Sequence, residues 1–301
     1  RLDYRDHVTG RFIELRDTML QTGRLANNVT SKLDVSAKVI VNKPMLNVQV
    51  KARTSLKFDL DKQKFEFSSL KLQIAGDALD VKGITLQANG DIGLNGKAQE
   101  LMMKKFILLA SGNRAGDAME AKLEVPELTL SDNKFESPRV QLNAKTAGPS
   151  GNMSGNLMLA GLDGNARLFR SGGLSVEIEA ERGGQVFRNS IHSPVSGSFT
   201  KKQINLSDIR VTLEGRGQGL PQQGVGGELK GSMQIDGGRQ SGQVNLQGKL
   251  DQGQIKTRVA ISNFSSPVIR FDMALDKLDV DAYLPATEHP ADAKPISAEK
   301  G

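Results

Sequence analysis

Apolar and polar residues alternate with period two over much of the chain, and this pattern restricts the fold more than any other feature. Leu33, Val35, Ala37, Val39 and Val41 are separated by residues such as Lys32, Asp34, Ser36 and Lys38. A strand turns successive side chains to opposite faces, so such a run puts its apolar residues on one face and its charges on the other. The same alternation recurs at Leu46, Val48, Val50; at Leu56, Phe58, Leu60; at Leu174, Val176, Ile178, Ala180; at Met233, Ile235; at Val244, Leu246; and at Val259, Ile261. The expected fold is all-β, an elongated, repeat-built curled antiparallel sheet with few helices. The 32 glycines agree, because each Gly inside a helix costs about 1 kcal/mol relative to Ala.

A repeat underlies the alternation. Phe65, Phe67, Leu70, Leu72, Ile74 and Gly76 have the spacing of Leu79, Val81, Ile84, Leu86, Ala88 and Gly90, and of Ile204, Leu206, Ile209, Val211, Leu213 and Gly215. Phe135, Val140, Leu142 and Ala144 form a degraded copy. Each unit contains a three-residue step, which throws the second apolar run onto the opposite face unless a bulge or corner restores it. The pairs that fill the step, Ser68-Ser69, Lys82-Gly83 and Ser207-Asp208, suit a bulge or short turn. The unit then reads as strand, corner, strand and a closing Gly turn.

Some segments fit the pattern less well. Residues 97–110 (KAQELMMKKFILLA) favour helix by propensity, yet strands on both sides predict that at least 105–111 is a strand. Residues 1–22 fit helix and strand equally. Residues 215–238 are crowded with glycine and read as a long hairpin loop or insertion, and the tail from Pro285 as disordered or a linker. The expected organisation is an N-terminal segment 1–22, a β-repeat domain 23–285 and a flexible tail 286–301.

Composition excludes several kinds of chemistry. There is no Cys, which removes thiol catalysis, thiolate metal sites and disulfides, and fits an oxidising compartment. His7, His192 and His289 are far apart, with no carboxylate or second His at ligand spacing. Asp272, Asp276, Asp279 and Asp281 hint at a hard-cation site, but Asp272 and Asp276 alternate with Phe271, Met273 and Leu275 as a solvated strand face does. Ser68 and Lys71 have the spacing of some acyl enzymes, where the pair needs one helix face; here it straddles a strand corner. Gly217, Gly219 and residues 224–227 lack the Lys-Ser or Lys-Thr and the helix of a phosphate loop. Catalytic residues, metal and cofactor are therefore expected to be absent. The formal charge of +6 is spread thinly and lacks interleaved stacking aromatics, so nucleic acid is not an expected partner. No stretch approaches the ~20 apolar residues of a membrane span, the longest run being 106–110.

Residues 248–285, GKLDQGQIKTRVAISNFSSPVIRFDMALDKLDVDAYLP, resemble the AsmA family of bacterial envelope proteins, whose members carry a similar FD-x-x-x-D-x-L-x-x-D-x-YLP run. Here it is Phe271, Asp272, Asp276, Leu278, Asp281, Tyr283, Leu284 and Pro285, preceded by the family-like Asn263, Phe264 and Ser265. Residues 194–215 and 55–76 resemble the family's recurrent strand pairs, and the likeness extends over roughly 23–285; a TamB-like relative is the nearest alternative. The resemblance implies a periplasmic β-groove that conducts phospholipid between inner and outer membrane and supports outer-membrane assembly. It also implies a longer parent protein anchored in the inner membrane, of which this chain is a piece without the N-terminal anchor. The partners implied are phospholipid acyl chains, the membranes at the ends of the full-length protein, and other envelope proteins.

A sheet with one apolar face must cover it with protein or with something else. The residues expected to line a concave, acyl-chain-accepting face are Val48, Val50, Leu70, Leu72, Ile74, Ile84, Leu86, Ile209, Val211, Leu213, Val259, Ile261, Phe271, Met273 and Leu275. Two other readings stay open at this point: the same residues as the dry core of a β-sandwich, and the sheet as a scaffold or interaction module affecting outer-membrane protein assembly. An enzyme on β-repeats would need clustered acidic and basic residues, which the sequence does not offer.

Overall fold

A computed structural model describes residues 2–6, 9–131, 134–221 and 224–277. They form one antiparallel sheet of 17 strands, with no helix among the described residues. The strands are β1 (Leu2–Asp6), β2 (Arg11–Thr22), β3 (Ser31–Asn42), β4 (Met45–Asp59), β5 (Lys64–Ala78) and β6 (Val81–Asn95). Then follow β7 (Glu100–Arg114), β8 (Asp117–Leu130), β9 (Phe135–Ala147), β10 (Asn152–Gly164), β11 (Phe169–Arg182) and β12 (Gln185–Ser198). The last are β13 (Gln203–Gly217), β14 (Val225–Asp236), β15 (Ser241–Leu250), β16 (Gly253–Ser262) and β17 (Val268–Leu275). Each strand pairs with the strand before it and the strand after it, so the sheet is a continuous meander with β1 and β17 at its edges. It does not close into a barrel.

Residues 1–22, ambiguous in sequence, contribute β1 and β2 to this sheet, and the helix-like stretch 97–110 lies mostly in β7. Its Leu101, Met103, Phe106, Leu108 and Ala110 reproduce the spacing of Phe65, Phe67, Leu70, Leu72 and Ile74 in β5. Phe135, Ser137, Val140, Leu142 and Ala144 in β9, Phe169, Ser171, Leu174, Val176 and Ile178 in β11, and the copy in β13 do the same. The repeat therefore occupies alternate strands from β5 to β13, about 35 residues apart. The copy that starts at Leu79 is different: Leu79 sits in the β5–β6 turn, and its step falls at the beginning of β6.

The three-residue step is a β-bulge. Ser69 has φ 54° and Lys105 φ 51°, and the pairing register shifts between Phe67 and Leu70 and between Leu206 and Ile209. The Ser69 amide donates to Asp91 Oδ1 at 2.7 Å, which supplies the bulged residue with the partner that the ladder cannot. Because the extra residue restores the phase, Phe65 and Phe67 share a face with Leu70, Leu72 and Ile74: Phe67 lies opposite Ile92, Leu72 opposite Ala88 and Ile74 opposite Leu86. Similar irregularities at Arg16 to Met19, Ser171 to Leu174 and His192 to Val195 form a crease that runs across the sheet from β2 to β13, whereas the ladders from β14 to β17 keep an unshifted register.

Burial shows which way the crease bends. The residues beside it on the apolar face, Ala88, Val125, Ser137, Leu162, Ser171, Ser193 and Ile209, are all buried, Ser137 with 1% exposure. The inside of the bend is therefore the apolar face. The serines there satisfy carbonyls freed by the irregular ladder: Ser137 Oγ donates to Glu127 O at 2.6 Å, Ser171 Oγ to Ala160 O at 2.5 Å and Ser193 Oγ to Pro194 O at 2.8 Å.

Two sequence expectations need correction. Residues 215–238 are not a long loop, because β13 runs to Gly217 and β14 begins at Val225. Nor do Gly76, Gly90 and Gly215 close turns; each lies within a strand. Glycine is required in these strands by close backbone approach: a Cβ on Gly231 would meet Asn245 O at 1.8 Å, and one on Gly76 would meet Asn47 O at 2.1 Å. The expected tail 286–301 and the Pro285 boundary lie outside the described residues.

The glycine geometry makes a testable contrast. Gly231→Ala is expected to destabilise the protein by more than ~2 kcal/mol, because the ladder must part to admit the methyl. Gly172→Ala, where a Cβ meets nothing within 4 Å, should leave stability unchanged or raise it by up to ~1 kcal/mol. Equal shifts of the two urea midpoints would contradict this reading of the sheet.

Candidate functional site

The registers bring all fifteen expected groove residues onto one face. Val50 lies opposite Ile74, which lies opposite Leu86, and Val48 and Ile84 flank Gly76 from either side. Leu72 lies between Ala52 and Ala88, and Leu70 opposite Gly90. In the second half, Ile209, Val211 and Leu213 face Gly231, Leu229 and Gly227, while Val259 faces Phe271, Ile261 faces Ile269, and Met273 and Leu275 face Thr257 and Ile255.

Between these two groups, residues that the sequence reading did not select complete the surface. Leu72 continues through Ala88, Leu108, Leu123, Leu142, Leu157, Val176 and Ile191 to Val211, one residue per strand with each directly opposite the next. The same row extends back to Leu20 through Ala52 and Val35, and forward through Leu229, Gly248 and Ile255 to Leu275. From β2 to β17 every position in it is aliphatic except Gly248. At about 4.8 Å between strands, the row is about 70 Å long. The signal that could have found the middle strands is the step pattern, which β7 and β11 carry as clearly as β5.

No second sheet or helix covers this face among the described residues. Leu142 is 38% exposed and Ile178 37%, although both point into the bend. The chain exposes 20696 Å², whereas a compact protein of 32.5 kDa exposes about 12,000 Å². Subtracting all that residues 278–301 could contribute as unfolded chain, about 4,000 Å², leaves a large excess. A dry sandwich core would not leave such an excess. Midway along the groove one rim carries a cluster of rings at the ends of β9, β11 and β12, with Phe135, Phe169 and Phe199 in mutual contact at centroid distances of 4.5 to 5.8 Å.

Charge is confined to the outer face and the turns. Directly opposed pairs there include Asp34 with Arg53 at 2.6 Å, Glu120 with Lys145 at 2.9 Å and Glu179 with Arg188 at 2.9 Å. All are exposed, so each is worth at most ~1 kcal/mol. A second concavity of about 900 Å³ lies on this outer face across β6 to β13, walled by polar side chains such as Gln87, Lys122, Asn143 and Asn156. A strand-wise bend toward the apolar side and a transverse hollow on the other side together make a saddle, the shape of a twisted sheet.

The remaining candidates from the sequence are not brought together. Asp272 is exposed on β17, and Asp276 Oδ1 accepts the Gln254 amide at 2.6 Å. Asp279, Asp281, His7 and His289 lie outside the described residues, and His192 is exposed on the outer face of β12. Among the described residues no three His, Asp or Glu side chains are placed to hold a metal ion. Ser68 and Lys71 flank the β5 bulge on the outer face. Comparison with protein-family models, curated proteins and solved structures finds no match.

Acid sensitivity should come from the turns and the outer face. The Asp236 carboxylate accepts Gln203 Nε2 at 2.8 Å and the Arg239 amide at 2.9 Å, and these contacts hold its pKa below the ordinary aspartate value. Ser150 does the same for Asp117, and Arg188 for Glu179. A depressed carboxylate stabilises the fold fully above the unfolded-state value of about 4, and that stability is lost as pH falls through the lower folded-state value. Thermal stability is thus expected to be flat between pH 5 and 7, as an order-of-magnitude window, and to fall below ~4, with a shallower fall in Asp236→Asn. An acid profile unaltered by that substitution would remove the Asp236 cap from the account.

Proposed function

We propose that this chain is a periplasmic lipid groove: a non-enzymatic sheet that binds phospholipid acyl chains along its apolar face and passes them between inner and outer membrane. The single observation that carries the reading is the row from Leu20 to Leu275, aliphatic at every position but Gly248 and left without a protein layer above it among the described residues. The resemblance of residues 248–285 to the AsmA family supplies the compartment, the two membranes and the inner-membrane anchor of a longer protein; its Tyr283, Leu284 and Pro285 lie outside the described residues.

Physical chemistry supports sliding over trapping. Each acyl CH₂ moved out of water contributes about 0.8 kcal/mol, and successive positions of an aliphatic row contribute nearly equally. A lipid tail then meets no deep minimum along the groove. Headgroups need no pocket, because a groove open to solvent lets them remain hydrated. With no Trp and two Tyr in the chain, few ring-lined pockets interrupt the path.

Leu72→Asp and Val211→Asp put a carboxylate in the middle of the row. In an open groove the charge reaches water, so both variants should fold while acyl chains no longer pass. A photoreactive residue at Leu72 or at the more exposed Leu142 should yield lipid adducts in envelope preparations, whereas one at Gln73, on the outer face opposite Gln87, should not. If both Asp variants unfold and only protein adducts form, the scaffold reading replaces this one.

A further inference from the structure

The meander gathers onto one rim charges that lie far apart in the chain. Even-numbered strands turn into the next strand along the rim that holds the phenylalanine cluster. The six turns from β4–β5 to β14–β15 carry Lys62, Lys97, Lys134, Arg167, Lys201 and Arg239, about 35 residues apart. Arg24 continues the row in the β2–β3 turn, and Lys202 doubles it beside Lys201. The acids of these turns are Asp61 and Asp132, the latter outside the described residues. The turns of the opposite rim hold a single Lys, Lys43, with Asp80 and Asp251. About 10 Å separates successive turns of one rim, so the basic row runs beside the aliphatic row for about 60 Å. Hydrogen bonds between turns hold it in register: the Gly96 amide donates to Gln63 O at 2.8 Å, the Phe199 amide to Ala166 O at 2.9 Å and the Gly237 amide to Lys202 O at 2.8 Å. Lys62, Lys134 and Arg239 pair with Asp59, Glu136 and Asp236 at the strand ends. Arg24, Lys97, Arg167, Lys201 and Lys202 are exposed and make no ion pair among the described residues. The same turns expose Leu25, Leu60, Leu168 and Phe199, at 49 to 65%.

We infer that this rim receives the headgroups of the lipids whose tails lie in the groove, and that it favours phospholipids of net negative charge. The inference rests on the groove reading above and deepens it. Cations spaced at about the screening length of physiological salt repel one another, and anions placed among them relieve that repulsion. A lipid with its tails on the aliphatic row brings its phosphate to the mouth of the groove, where one rim presents a row of positive charge and the other does not. In a zwitterionic headgroup the ammonium is repelled by the row and offsets the phosphate; an anionic headgroup carries no such penalty. Leu168 and Phe199, next to Arg167 and Lys201, offer apolar contact to the ester region just below the phosphate. Turn after turn presents the same charge, so a headgroup steps along the rim without a trap while its tails slide along the row. None of the residues involved belongs to β17 or to the chain that follows it.

The full chain is incubated at physiological salt with vesicles of dioleoyl phosphatidylglycerol or of dioleoyl phosphatidylcholine, reisolated, and its retained lipid measured by mass spectrometry. Both lipids should be retained, phosphatidylglycerol in about ten-fold excess. Combining Lys97→Glu, Arg167→Glu and Lys201→Glu should abolish that excess and leave phosphatidylcholine retention unchanged. Combining Lys43→Glu, Arg216→Glu and Lys249→Glu makes the same change in net charge at the opposite rim and should preserve the excess. All six side chains are exposed, so both triple variants should fold. A phospholipid with a photoreactive headgroup should label residues 96–99, 165–168 and 199–202, and not residues 115–116, 148–151 or 183–184. Equal retention of the two lipids, equal effects of the two triple variants, or equal labelling of both rims would overturn the inference and leave the groove reading standing. Protein that pellets with phosphatidylglycerol vesicles yet keeps no lipid on reisolation would assign the row to a bilayer surface and overturn it too. Failure to retain either lipid or to bind either vesicle would sink the groove reading itself, and this inference with it.

Discussion

A strand shows its side chains to alternate faces, and everything in this molecule depends on keeping that alternation in phase through a bend. A sheet of one layer can shelter its apolar face only by curling over it, and curling a strand sharply requires an inserted residue. Inserted alone, that residue would turn half of each strand inside out. Here it is accommodated as a bulge, with Ser69 and Lys105 in the left-handed region, so that Phe65 and Ile74, or Leu101 and Leu108, still look the same way. The crease, the burial along it and the continuity of the aliphatic row all follow from that one device.

Much of this was legible in the sequence because period-two alternation is a local property. The strands around Val39, Leu72, Val211 and Val259 declare their faces without help from neighbours, and the step between Phe67 and Leu70 declares the bulge. Other elements were not legible, for physical reasons. In β7 the residues Leu101, Met102, Met103, Leu108 and Leu109 put large apolar groups on both faces, which blurs the alternation and mimics a helix. In β14 the glycines report a close approach of backbones from β15, a property of the neighbouring strand that β14 itself cannot encode. The aliphatic row between Leu108 and Ile191 was overlooked because it exists only across strands: no single segment contains more than one of its members.

The division of charge has its own logic. Opposed ion pairs such as Glu120 with Lys145 sit where solvent screens them and contribute little to stability, yet they keep the outer face soluble and hold the register of neighbouring strands. The inner face is left to dispersion and to exclusion of water. Serine hydroxyls enter it only at the crease, where they serve carbonyls of the irregular ladder and present little polarity to the groove.

Strictly sequential pairing makes length an independent variable. Since each strand pairs only with its two chain neighbours among the described residues, adding or removing one hairpin changes the span by two strand spacings, about 10 Å, and leaves the remaining ladders as they were. Contacts of low sequence separation also let the sheet form progressively, hairpin upon hairpin, as the chain emerges, without waiting for a distant segment to close the structure. Duplication of a unit of about 35 residues is then enough to lengthen such a sheet by two strands.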